Sequence, residues 1–178
     1  MTTPQVRVRQ VPVTSADREA MLHKHPLENL SHEIGRKRVS PTLSLVATHQ
    51  ISEVYRYEFE GIVKVYDIRL IKEAIYKKEI PVQAIVMDLT DAYVDHVFNM
   101  GGCEQDHLNS ITLKDIKRPA IGILYDDGLQ VVDGSHRIVA RWRRFNKQSA
   151  RLLIIPGVVD FRFLINEKDL SNATWLKR

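Results

Sequence analysis

The 178-residue chain has one cysteine, Cys103, so no internal disulfide is open to it, and no cysteine pair has the spacing of a zinc site. It has no apolar run near the ~20 residues that cross a bilayer, no internal repeat and no low-complexity tract. Residues 1–7 lack the basic-then-apolar order of a secretion signal. Together these absences predict a cytoplasmic protein without membrane insertion, held by an apolar core rather than by cross-links. At this length the core can be sizeable. Hydrophobic residues make up 44% and charged residues 27%, the balance of an ordinary globular domain.

The net charge of +4 admits a nucleotide or nucleic-acid partner, and the placing of the charge says more than its size. Arg137, Arg141, Arg143, Arg144, Lys147 and Arg151 crowd into fifteen residues. Immediately before them the chain reads Val131-Val132-Asp133-Gly134-Ser135-His136-Arg137-Ile138-Val139-Ala140. This is a short apolar strand, a glycine turn and the opening of a helix. Amides at a helix start are unpaired and lie at the positive end of the dipole. Gly134 lets an anion approach the backbone, Ser135 caps and donates, and His136 and Arg137 add donors aimed at the same point. The pattern predicts a phosphate site at Gly134, Ser135, His136 and Arg137. Asp133 either shapes the turn or helps to hold a divalent cation.

Periodicity places the remaining elements. The first forty residues are polar and broken by Pro4, Pro12, Pro26 and Gly35, with a basic knot at Arg36-Lys37-Arg38, and predict an arm or short helical extension. Residues 55–59 alternate as a strand, and Val65, Ile68, Ile71 and Ile75 predict an amphipathic helix over 65–78. Strands follow at 82–87, 121–125, 129–132 and 150–155, with Asp126-Asp127-Gly128 as a hairpin turn. Asp91 is read as the cap of a helix stopped by Gly101-Gly102, and residues 103–117 as loop leading into helix. The motif helix runs from Ser135 to about Phe145, residues 161–165 form one more strand, and the last ten residues read as helical. The expected fold is α+β: a small mixed sheet flanked by helices over residues 41–178, preceded by an N-terminal extension over 1–40.

On the motif helix Ile138, Trp142 and Phe145 share a face and point to the core, while Arg137, Arg141 and Arg144 share a neighbouring one. This cationic stripe predicts a nucleic-acid contact through Arg141, Arg144 and Lys147, the competing reading being a merely solvated helix face. A hydrolase would need in addition an acid or base and usually a metal. His136, whose imidazole is the side chain suited to carrying a proton near neutral pH, Glu104 and Asp106 are the catalytic candidates, with His96 and His107 in the same polar region.

Asp133-Gly134-Ser135-His136-Arg137, after a hairpin and ahead of a helix, resembles the second signature box of the ParB/sulfiredoxin superfamily, and the resemblance spans about residues 80–156. It implies a ParB/sulfiredoxin-like domain that binds ATP or another nucleoside triphosphate, with Mg2+, at this turn. Branches of the superfamily hydrolyse nucleotides, cleave DNA or phosphorylate small metabolites, and short stand-alone members resemble plasmid fertility-inhibition factors. This chain shows no helix-turn-helix and no C-terminal coiled coil, so the stand-alone branch is the expectation. That is an ATPase with accompanying DNase activity, acting on DNA or a protein of a conjugation apparatus. The alternatives are a non-catalytic DNA- or protein-binding module of the same fold and a small-metabolite kinase. Two departures narrow the reading. Ser135 stands where sulfiredoxins carry their reactive cysteine, which argues against sulfinic-acid reduction. The upstream box of Pro-x-x-Arg character has no clean copy here, which weakens any transfer of nucleotide specificity.

Overall fold

The computed structural model describes residues 5–22, 50–51, 54–59, 62–100, 103–126, 128–157, 163–165 and 174–175. Among them the chain forms a mixed α+β fold around a five-stranded sheet. The sheet has the order β1 (Val8–Val11), β5 (Gln83–Asp88), β8 (Ser149–Pro156), β6 (Ala120–Tyr125), β7 (Gly128–Asp133). Only the β8–β6 pairing is parallel; the other three are antiparallel.

The middle strand shows why the sheet is covered on both sides. Its segment Leu152-Leu153-Ile154-Ile155 is apolar without alternation, as a strand buried on both faces must be. Because side chains alternate along a strand, Leu152 and Ile154 enter one core with Met87 and Ala120, while Leu153 and Ile155 enter a second with Ala84, Ile121 and Ile123. The first core is closed by α3 (Asp91–Met100), α4 (Gln105–Ser110), a 3-10 turn at Asp115–Lys117 and α5 (Ser135–Arg143). The second lies under α2 (Ile68–Lys77), with Met21 from the 3-10 turn Ala20–Leu22 that follows α1 (Ser15–Glu19).

Several elements begin where local chemistry dictates rather than where apolar spacing suggested. The helix expected over 65–78 starts at Ile68, because Val65 belongs to β4 (Ile62–Asp67), which pairs with β3 (Val54–Phe59). The buried Asp67 carboxylate accepts the Arg69 amide at 2.9 Å and caps α2. In α3 the cap is Thr90, whose hydroxyl accepts the Tyr93 amide at 3.2 Å. Asp91, expected in that role, is the first helical residue and instead accepts the Trp142 indole N–H at 2.7 Å. The hairpin turn is as expected, with Gly128 at φ 136°, although Asp127 lies outside the described residues.

Residues expected in a separate arm belong to the sheet. β1 is an edge strand paired with β5 from Val8 opposite Met87 to Val11 opposite Ala84. Beyond it a capping box joins Thr14 and Asp17 at the start of α1. Arg151 then grips the Asp17 carboxylate with two hydrogen bonds of 2.6 Å and the Pro12 carbonyl with a third. The basic knot Arg36-Lys37-Arg38 and the Gly101-Gly102 stop lie outside the described residues. Of the strand expected at 161–165, Leu164 makes a bridge to Tyr66 and Ile165 donates to the Val65 carbonyl at 2.8 Å. The expected C-terminal helix is not formed at Thr174–Trp175. These two residues make a short strand, β9, parallel to β2 (Gln50–Ile51), which suits a β-branched and an aromatic residue. Among the described residues no helix is long and apolar enough to cross a membrane.

The Asp17–Arg151 grip has a pH signature. Burial pushes the Asp17 carboxyl up, but the hydrogen bonds from Arg151 and Thr14 more than offset this and hold it below the usual carboxylate value. A carboxyl depressed by folding stabilises the fold above its unfolded value, about 3.9, and that contribution is lost as pH falls through the folded value. Asp17→Asn is therefore expected to lower stability by a constant amount above about pH 5, with the gap to the wild type closing below pH 4 in urea titrations.

Candidate functional site

The turn from β7 into α5 forms as the sequence suggested, with one change of role. Gly134 is the N-cap residue at φ 95°, a conformation open to glycine at little cost. Space imposes the same choice, because a Cβ at Gly134 would lie 2.8 Å from both the Ala120 Cβ and the Arg137 Nη2. Ser135, expected to cap, is the first helical residue and makes no side-chain cap. The helical ladder opens with Ile138 donating to the Gly134 carbonyl at 3.0 Å, which leaves the amides of Ser135 and Arg137 outside it.

Beneath the turn lies a mostly buried charge cluster. Arg137 Nη2 donates to Asp133 Oδ2 and to the Pro119 carbonyl, both at 3.1 Å. Lys72, from α2 on the opposite face of the sheet, reaches the same Asp133 oxygen at 3.3 Å. Asp133, for which the sequence suggested a cation, thus sits between two. Burial opposes its ionisation, yet Arg137 and Lys72 outweigh burial and hold the carboxyl well below the usual range. The Nε of Arg137 is fully buried and has no acceptor. Lys72 escaped sequence analysis because its place in the cluster comes only from the packing of α2 beside the end of β7.

His136 faces α4. Its Nε2 accepts the Glu104 backbone N–H at 3.1 Å, and its ring lies 4.2 Å, centroid to centroid, from that of His107. The structure therefore brings His136 to Glu104, but through the Glu104 main chain. The Glu104 and Asp106 side chains are exposed. His96 lies on α3. Cys103 is half-buried, and burial pushes its thiol up to about 11, with Arg143 opposing, which leaves little thiolate at neutral pH.

The arginine stripe has a definite destination. Arg141 donates to the Ser149 carbonyl at 2.7 Å and the Ile116 carbonyl at 2.5 Å. Arg144 donates to the carbonyls of Leu108 and Ile111, and Arg143 pairs with Asp95 at 2.6 Å over the Phe98 ring. Lys147 is exposed, and its amide donates to the Arg141 carbonyl. With Arg137 on Pro119, two arginines of α5 and its C-cap Arg144 hold carbonyls of residues 108–119. Among the described residues no group of three or more His, Cys, Asp and Glu side chains is placed to hold a metal ion.

No protein-family model, curated protein or solved structure matches this chain.

Gly134→Ala meets both the left-handed backbone and the Ala120 contact, and is expected to destabilise the fold by about 1–3 kcal/mol, read from the urea midpoint. Arg141→Ala leaves the Ile116 and Ser149 carbonyls without their donor and is expected to cost about 1–3 kcal/mol in the same measurement. A midpoint equal to the wild type would show that water replaces the guanidinium there.

Proposed function

We propose that this chain is a ParB/sulfiredoxin-like nucleotide-binding protein that takes the phosphates of ATP, or of another nucleoside triphosphate with Mg2+, at the Gly134 turn. The observation that supports the reading is the charge at the start of α5. Arg137, fixed by Asp133 and Pro119 with its Nε unpaired, and Lys72 on the same Asp133 bring cations next to helix amides left outside the ladder. Asp133 is committed to those two cations, so Mg2+ would arrive with the triphosphate. Hydrolysis, with accompanying DNA cleavage and a role in plasmid fertility inhibition, is what the resemblance adds. In that reading His136 carries the proton and the Glu104 and Asp106 carboxylates lie on the adjoining helix start.

A second reading, binding without turnover, is favoured by a specific contact. The His136 Nε2 lone pair, which would take a proton from an attacking water, already accepts the Glu104 amide. Separately, Arg141 and Arg144 are engaged with backbone carbonyls, which leaves Lys147 as the one side chain of the three proposed for nucleic acid that holds no carbonyl, and weakens the DNA-cleaving part of the first reading.

Calorimetric titration with ATP and CTP in Mg2+, beside a phosphate-release assay with and without plasmid DNA, separates these readings. Ser135→Asp suits a first helical turn but sets a carboxylate against the incoming phosphate. It is expected to keep the wild-type urea midpoint and weaken nucleotide binding by about tenfold or more. Equal affinity in the variant, or no binding of any triphosphate by the wild type, rejects the assignment. Binding with no phosphate released selects the second reading.

A further inference from the structure

We propose that the contact of His136 with the start of α4 is a proton-operated latch that holds one end of the segment 104–119 while arginines hold the rest. His136 Nε2 accepts the Glu104 N–H, which requires a lone pair on that nitrogen. A proton at Nε2 turns the acceptor into a donor facing another donor. A second proton on His107 would place two like charges at ring-contact distance, 4.2 Å.

Among the described residues, most of the charged groups on the neighbouring elements are engaged elsewhere. On α5 itself Arg137 is turned to Asp133 and Pro119. Lys72 of α2 sits on that same Asp133. From the 3-10 turn Asp115 is held by Thr112 and Arg118. Asp91 and Asp95 of α3 meet Trp142 and Arg143 toward the other end of α5, and Arg151 of β8 grips Asp17. On the adjoining start of α4 the described carboxylates are Glu104 and Asp106, and both are exposed, where attraction for an imidazolium is weak.

The remaining fastenings do not titrate in the neutral range. Arg144 on Leu108 and Ile111, Arg141 on Ile116 and Arg137 on Pro119 stay charged. Protonation of His136 at Nε2 therefore releases the Glu104 end alone. The contact is present while the ring is neutral and lost once it is charged.

Amide exchange and ¹⁵N–¹H spectra of the full chain between pH 8 and 5.5 test this directly. The protection factor of the Glu104 amide, corrected for intrinsic exchange, is expected to fall about threefold to tenfold, the span of one modest hydrogen bond. Its midpoint should coincide with that of the His136 ring signals. The Ile116 amide, which donates to the Thr112 carbonyl, should keep its protection throughout. In His136→Gln, whose carboxamide accepts without titrating, the Glu104 response should vanish. Glu104 protection that is constant through the His136 titration overturns the proposal, and so does an equal response in the Gln variant. The wild-type titration decides the matter even if the variant does not fold.

Discussion

The α4 region is held by one set of interactions, the hydrogen bonds of side chains on α5 and its C-cap with the main chain of residues 104–119, accepted by His136 at Glu104 and donated by arginines beyond it. α4 has six residues and the following 3-10 turn has three, lengths at which a helix in water does not sustain itself. The last carbonyls of such a helix have no acceptor role within it. Arg144 supplies donors to Leu108 and Ile111 there, Arg141 does so at Ile116 and Arg137 at Pro119. Each is a charge-assisted bond to a neutral oxygen, stronger than an amide donor would give. The buried Leu108, Ile111 and Ile116 then close the core beneath. Cationic residues at spacings of four and three thus act as rungs between two backbones.

That arrangement explains which parts of the molecule were readable from the amino acids. The strand, glycine and helix at 131–143, the hairpin before them and the apolar run at 152–155 are set by local rules, and each appears in place. The shared face of Arg137, Arg141 and Arg144 was also legible, since it follows from helical geometry alone. What faces that side was not, because a backbone carbonyl leaves no mark in a sequence. The same applies to Lys72, brought to Asp133 by packing across the sheet end. β1 was hidden for another reason. Four residues beside prolines carry little periodicity, and their strand character comes from the free edge of β5. Val65 misled because a buried strand residue can fall in register with a following helix.

The Gly134 turn carries two demands at once. Its glycine is needed by backbone angle and by the close approach of Ala120, before any ligand is considered. Arg137 likewise closes the end of the sheet through Asp133 and Pro119 while its Nε stays unpaired. An anion at the helix start would meet a guanidinium already fixed in place, so little side-chain ordering would accompany binding. Removing Arg137 would disturb the fold as well as any ligand, which makes Ser135 the cleaner position to perturb.

The order of the sheet carries a consequence for how the chain is made. β8 lies in the middle of the five strands yet follows the other four in sequence. On a ribosome, β1 with β5 and β6 with β7 emerge first, and no strand of the sheet bridges the two pairs until residues 149–156 arrive. During that interval Ala84, Met87, Ile121 and Ile123 border an unfilled slot whose two edges are complementary to extended strands of any chain nearby. Synthesis therefore passes through a stage at which the nascent protein is open to chaperones and to self-association, and insertion of one apolar strand ends it.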